Sequence, residues 1–389
     1  NTWEWGTPVF FSRSPDNALF DIEDTLPAPA CPYPGMVPFA EKDSSNFFGR
    51  DHEIKEAVEH LRLSSFLTVI GPSGSGKSSL IYAGVLPALR TSKRFGQDEW
   101  RVLIMRPGEQ PLTELLKQFG AQAEAELLQS TISPRTLLFI DQFEEAFTLA
   151  RHTASTNQER GRFLDVLGQL CTKANLFTII TVRADFYPDL MAVPLWPLIK
   201  ANRLELPPMG ARELRVAMIQ PAERVGITIE PLLVEHLINE AAGEPGVLPL
   251  VQETLLQLWE HLEKRRLPYS AYLAMADSGR SGLQVAIARR ADVTFENLAE
   301  AKQAMARRVF LRLVQFGEGR ADTRRQLTVA KLIDASDDAE AFEETLQQLT
   351  KSRLLTLSGE ENQSLDHRRV DIAHEALISG WPKMQDWLK

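Results

Sequence analysis

Apolar residues along this chain fall into two registers. Residues 66–70 (FLTVI), 102–105, 137–140 and 177–182 are short, continuous apolar runs of strand length, and 203–206 reads as a shorter fifth. Between them, apolar positions step by threes and fours over 54–63, 80–89, 112–128 and 163–170, with a further helix from Phe143. Continuous apolar strands alternating with helices predict a parallel sheet covered on both faces. After Pro207-Pro208 the pattern is almost wholly helical. Residues 247–262 carry Leu248, Val251, Leu255, Leu258, Trp259 and Leu262 on one helical stripe, and Met305, Val309, Leu313 and Phe316 form another. Leu332, Phe342, Leu346 and Leu349 read as further helices, 353–357 and 369–372 as two short strands, and 375–388 as a final helix. The pattern predicts an α/β domain over 45–206, a helical domain over 207–300 and a winged-helix unit over 301–389.

Residues 1–24 hold an apolar patch (Val9, Phe10, Phe11) and a turn signal, Ser14-Pro15-Asp16-Asn17. They are too short for a core of their own and are expected to be the last strands of a domain whose bulk lies elsewhere. The chain opens at Asn1 without a leader-like apolar run and is expected to be a piece of something longer at both ends. Pro27, Pro29, Pro32, Pro34 and Pro38 crowd the next stretch, so 25–44 is expected to be an extended linker.

Composition narrows the classes. With 389 residues, two to three domains are expected. A 44% hydrophobic, 24% charged chain is neither disordered nor collagen-like. No run of 18 apolar residues occurs, so no membrane span is expected. A net charge of −9 argues against a general polyanion binder. Two distant cysteines, Cys31 and Cys171, make neither a disulfide framework nor a zinc site, and a reducing, cytoplasmic setting is expected.

The chemistry concentrates at strand ends. Gly71-Pro72-Ser73-Gly74-Ser75-Gly76-Lys77-Ser78 matches GxxxxGK[ST] in full, with a buried strand before it and a helix after, and Ser79 extends it. Glycines let the backbone turn its N–H groups toward a phosphate, and the helix adds the positive end of its dipole. Lys77 then neutralises β- and γ-phosphates, and the Ser78 hydroxyl coordinates Mg²⁺. Residues 137–140 end in Asp141, placed by strand geometry beside that loop as a contact to Mg²⁺. Glu144 or Glu145 is expected to polarise water for attack on the γ-phosphate. Arg183, at the end of the fourth strand, stands where a sensor of that phosphate would stand. The strand at 102–105, between loop and acidic strand, fits the ASCE class of P-loop NTPases.

Here the pattern becomes a resemblance. Phe47-Phe48-Gly49-Arg50-Asp51 resembles the hhGRE signature of STAND-class NTPases and their AAA+ relatives. Asp141–Glu145 (DQFEE) resembles the DGxDE acidic strand of STAND/NACHT proteins, with Gln142 in place of the glycine. Gly246-Val247-Leu248-Pro249-Leu250 resembles their GxP motif, and Ile372-Ala373-His374-Glu375 resembles the winged-helix histidine motif of NLR-like members, with Ala-His-Glu in place of Met-His-Asp. Over roughly 30–389 the chain is most similar to the bacterial novel STAND NTPase branch, and residues 1–24 resemble the end of a CHAT caspase-like protease domain.

The resemblance implies ATP and ADP as ligands. It places Phe48, with Gly49 and Arg50 beside it, and Pro249 at the adenine, and His374 at the β-phosphate of ADP. It implies a closed ADP state and an ATP-bound oligomer that activates an N-terminal effector, in bacterial defence or programmed death. A C-terminal sensor and an unknown activating ligand come with that reading. The alternative is a DNA-directed AAA+ ATPase binding DNA through its winged helix. The mixed charges of 366–389, and the acids Glu296 and Glu300 within the arginine-rich 289–325 stretch, argue against nucleic acid as partner. A scaffold that binds nucleotide without turnover is the third reading.

Overall fold

The computed structural model describes residues 28–92, 100–108, 110–148, 154–241, 247–275, 282–317, 322–352, 354–358, 365, 368–373 and 376–389. The expectations for residues 1–24, Gly246, His374 and Glu375 lie outside the described residues.

Five strands, β1 (Phe66–Gly71), β2 (Arg101–Met105), β3 (Thr136–Ile140), β4 (Leu176–Arg183) and β5 (Arg203–Glu205), form one parallel sheet in the order β2-β3-β4-β1-β5. Every residue of β1 and β3 is buried, which is why these strands read as unbroken apolar runs. Leu138 and Ile140 enter one core with Phe143, Phe163 and Leu167. Leu137 and Phe139 enter the opposite one with Val69, Leu80 and Ile81. The edge strand β2 leaves Ile104 40% exposed. In space it is β4 that separates the β1 strand from the acidic strand β3, although β4 follows both in sequence.

Several helices differ from the apolar pattern for local reasons. The expected helix over 112–128 is two, Pro111–Phe119 and Glu124–Gln129, because Gly120 takes φ +71° and ends the first. The final helix is broken into Ala376–Gly380 and Pro382–Leu388 at a proline. Helix Glu300–Arg312 stops before Phe316, which is 61% exposed beyond the short pairing of Val314–Gln315 with Thr323–Arg324. Two parallel two-residue strands, Thr228–Ile229 and Arg266–Leu267, were too short to register as a pattern within the helical region.

The C-terminal unit combines helices with a small sheet. Helices Glu300–Arg312, Val329–Leu332 and Ala339–Lys351 pack with an antiparallel sheet of three strands rather than two, Leu327–Thr328, Arg369–Ile372 and Leu355–Ser358, with Arg369–Ile372 in the middle. Its core also takes Ala288, Ala291 and Phe295 from helix Gly282–Glu296, so this packing unit begins before residue 301.

Residues 28–40 form no helix or strand, yet they are not a free spacer. Tyr33 packs in the core of the helical region, edge-on to Trp259, and donates its hydroxyl to the Met218 carbonyl; Trp259 Nε1 donates to the Pro29 carbonyl at 2.9 Å. Met36 sits in the core of the C-terminal unit. Phe39 packs on Phe47, and its N–H donates to Ser79 Oγ at 3.1 Å. One short strap thus has an anchor in each of three packing units. Met36 is 2% exposed, so Met36→Ala should cost about 2–5 kcal/mol. Denaturant unfolding measures this, and an unchanged midpoint would return the strap to the role of a spacer.

Candidate active site

β1 ends at Gly71, where its neighbours leave no room for a side chain: a Cβ there would stand 2.5 Å from the Leu206 carbonyl oxygen. The chain then turns through Gly74 and Gly76, at φ +70° and +88°, conformations that only glycine adopts without strain. Lys77 opens the following helix and curls back, its Nζ donating to the Gly71 and Pro72 carbonyls at 2.9 and 2.8 Å. Behind the loop, the 2%-exposed Arg50 donates to the carbonyls of Ser75 (3.1 Å) and Pro207 (2.7 Å) and pairs with Glu53. Gly49, at φ +85°, lies against helix Ala211–Arg224, where a Cβ would meet the Glu213 carbonyl oxygen at 2.7 Å. Arg50 thus braces the phosphate loop through the Ser75 carbonyl, and Gly49 permits the close approach of helix Ala211–Arg224.

Across the sheet edge, Asp141 follows β3 and is 1% exposed. Ser78 Oγ donates to its two oxygens at 2.8 and 3.0 Å, and Thr181 Oγ1 donates to Oδ1 at 2.6 Å. The register fixes these contacts: Gly71 lies beside Arg183 and Ile140 beside Ile180, so loop, carboxylate and Arg183 share one level. Gln142 takes φ +56° with its N–H on Thr181 Oγ1 at 3.1 Å, which explains why the resembling motif carries glycine there.

The two glutamates diverge. Glu144 Oε2 accepts the Arg183 N–H at 3.2 Å. Burial raises the pKa of its carboxyl, opposed by Lys77 and Arg183. Glu145 Oε2 accepts the Gly108 N–H at 3.0 Å. Burial pushes its pKa up to about 8, with Arg106 opposing and Asp371 adding to the shift. The Arg183 guanidinium chelates Asp185 at 2.9 and 2.7 Å and lies over the Phe186 ring.

One cleft joins these groups. Ser73, Gly74 and Lys77–Ser79 line it with Asp141, Glu144, Glu145 and Arg183. Phe48 belongs to its wall, as do Leu248, Pro249 and Gln252 from the helical region. Pro34–Phe39 of the strap and Thr323, Arg324 and Ala373 of the C-terminal unit complete it. Arg106, Thr181 and the strap were missed by sequence reasoning. The strand-end rule that found Asp141, applied to β2, would have found Arg106.

The donors fit a magnesium-bound nucleotide. Ser78 and Asp141 are hard oxygen ligands side by side, and no group of three His, Cys, Asp or Glu able to hold a metal occurs among the described residues. A cation here would therefore draw the rest of its shell from phosphates and water. No helix among the described residues is long and apolar enough to cross a membrane.

A parallel sheet in this order, with a glycine loop, lysine and serine after β1 and a buried aspartate after β3, defines a P-loop NTPase. Residues 32–389 match the family model described as Novel STAND NTPase 1, and the chain belongs to that family. It is similar in structure to a chain of Drosophila ORC bound to DNA (15% identity, 91% of this chain and 87% of that one covered, TM-score 0.41). It is also similar to the Aeropyrum pernix ORC1 protein in complex with DNA (14%, 88% and 95%, 0.43) and to the Aeropyrum pernix ORC2 protein in ADPNP–ADP complexes (15%, 87% and 93%, 0.43). A search of curated proteins gave no match.

Glu145 carries a pH prediction. Between its ordinary value of 4.5 and about 8, the folded protein keeps a proton that the unfolded chain has released. Stability therefore falls as pH rises across that window, by at most about 1.4 kcal/mol per pH unit, and levels off above it. Glu145→Gln should flatten the slope and be the more stable protein above about pH 8. Denaturant unfolding across the window tests this; identical slopes in both proteins would refute it.

Proposed function

We propose that this protein is a nucleotide-operated switch whose closed form is held together by ADP and whose ATP-bound form assembles with itself. The observation that carries this reading is the shared cleft. Its walls come from the P-loop domain, the strap, the helical region and the C-terminal unit, so a ligand there would bridge all four. Residues 71–79 would take the phosphates, Phe48 and Pro249 the base, and His374 the β-phosphate of ADP. Release of that bridge would free the C-terminal unit and expose surfaces for assembly. An N-terminal effector of CHAT-protease type, activated by clustering in bacterial defence or programmed death, completes the proposal.

The hydrolytic step falls to the residues around Lys77. Mg²⁺, held by Ser78 and Asp141, would offset the charge of the phosphates. Lys77 would leave the Gly71 and Pro72 carbonyls for the β- and γ-phosphates, and Arg183 would stand beside the transferred group. Glu144 would orient water, a reading supported by its proximity to Lys77 and Arg183. Glu145 is turned toward Gly108 and Arg106 instead. Burial raises the pKa of Glu144, which makes its carboxylate a stronger base than an exposed one.

Mass and size of the protein, measured with ADP and with ATP, test the switch. Assembly is expected with ATP alone, and identical behaviour in both nucleotides would sink the idea. Lys77→Ala should lose nucleotide affinity by about a hundredfold or more. His374→Ala should weaken ADP more than ATP, and an unchanged preference would remove His374 from the clamp. Glu144→Gln should retain binding and slow single-turnover hydrolysis by about a hundredfold, while Glu145→Gln should not. The opposite result would exchange their roles.

A further inference from the structure

Arg106, directly after β2, is shared between two units. Its Nη1 donates to Asp371 Oδ2 at 3.2 Å, whereas its Nη2 stands 3.7 Å from Asp141 Oδ2, beyond hydrogen-bonding distance. Asp371 belongs to the middle strand of the C-terminal sheet and is 1% exposed. Arg369, two residues earlier and on the same face of that strand, reaches Glu114 of helix Pro111–Phe119 at 3.4 Å. Its Nη1 also occupies the space above Gly108, 2.3 Å from where a Cβ would lie. This strand is therefore docked on the edge of the P-loop sheet at two points. Arg324 also approaches Asp371, at 3.6 Å, but donates to the Ile372 and Ala373 carbonyls of its own unit.

We propose that Asp371 is a positioning residue for the metal site: by drawing Arg106 away, it keeps Asp141 available to a divalent cation while the C-terminal unit is docked. This rests on reading the cleft as a magnesium-nucleotide site. A guanidinium and a divalent cation compete for one carboxylate, because each repels the other at contact distance. With Asp371 in place, the better hydrogen bond of Arg106 goes to the C-terminal unit. With Asp371 withdrawn, Asp141 already stands 3.7 Å from Nη2 of Arg106, and the guanidinium closes onto it. Metal affinity is then linked to docking, and linkage is reciprocal: the cation favours the docked arrangement by the same factor.

The test is the Mg²⁺ dependence of binding of a fluorescent ATP analogue to the full chain. Asp371→Asn should raise the Mg²⁺ concentration at half-saturation by about tenfold, the effect of losing one charge-assisted contact. Arg106→Met added to Asp371→Asn should restore it to within about threefold, since the competitor for Asp141 is gone. A merely structural role for Asp371 predicts a double variant as weak as the single one, which would overturn the proposal. So would an unchanged midpoint in Asp371→Asn. Glu343→Gln breaks the Arg368–Glu343 pair inside the C-terminal unit; it should leave the midpoint unchanged, and an equal shift there would assign the effect to general loosening. Wild-type protein that binds the analogue in no condition would overturn the nucleotide reading and this proposal together.

Discussion

A carboxylate with 1% exposure needs hydrogen-bond donors around it, and Asp141 receives them from two neighbouring strand ends. Ser78 comes from the helix that follows the phosphate loop and Thr181 from β4, while Arg106, directly after β2, stands 3.7 Å away. Their meeting requires a parallel sheet with β4 between β1 and β3, because that order alone puts Thr181 and the phosphate loop at the same height as Asp141. The sheet order brings these groups together, and the left-handed Gln142 turns its N–H onto Thr181 Oγ1, the same hydroxyl that donates to Asp141.

The second constraint is that the cleft has no complete wall within any single unit. The P-loop domain supplies a floor; the strap, the helical region and the C-terminal unit supply the sides. Their contacts have different character. Tyr33 and Met36 join apolar cores, which hold without regard to charge. Asp371 and Arg369 meet the sheet edge through ion pairs, whose strength depends on what else occupies the neighbourhood. A device that must stay folded while one joint opens gains from placing its variable joint on charges and its permanent ones on hydrocarbon.

What was legible in the sequence was local. The loop 71–78, the apolar strand ending in Asp141 and the helical stripes announce themselves within windows of ten or so residues, and the structure has the parallel sheet they imply. The place of Arg106 at a strand end was legible, but its pairing with Asp371, 265 positions away, was not. Tyr33, Met36 and Phe39 were masked by the prolines around them, whose extended backbone is equally compatible with a solvated linker and a buried strap. Arg50 sat inside a recognisable signature, yet its side chain turns to backbone carbonyls behind the loop. A motif fixes where a residue is on the chain more securely than which way it points.

The strap also orders events during synthesis. Met36 leaves the ribosome well before Val370, Leu377, Trp381 and Met384, which belong to the core that receives it. At roughly 5–20 residues per second, those partners follow after tens of seconds. Through that interval the sheet and its phosphate loop can already exist on the nascent chain, while the strap dangles and one side of the cleft is missing. The phosphate loop thus precedes the C-terminal residues that line the same cleft, and the cleft is complete only when segments from both sides of the P-loop domain are present.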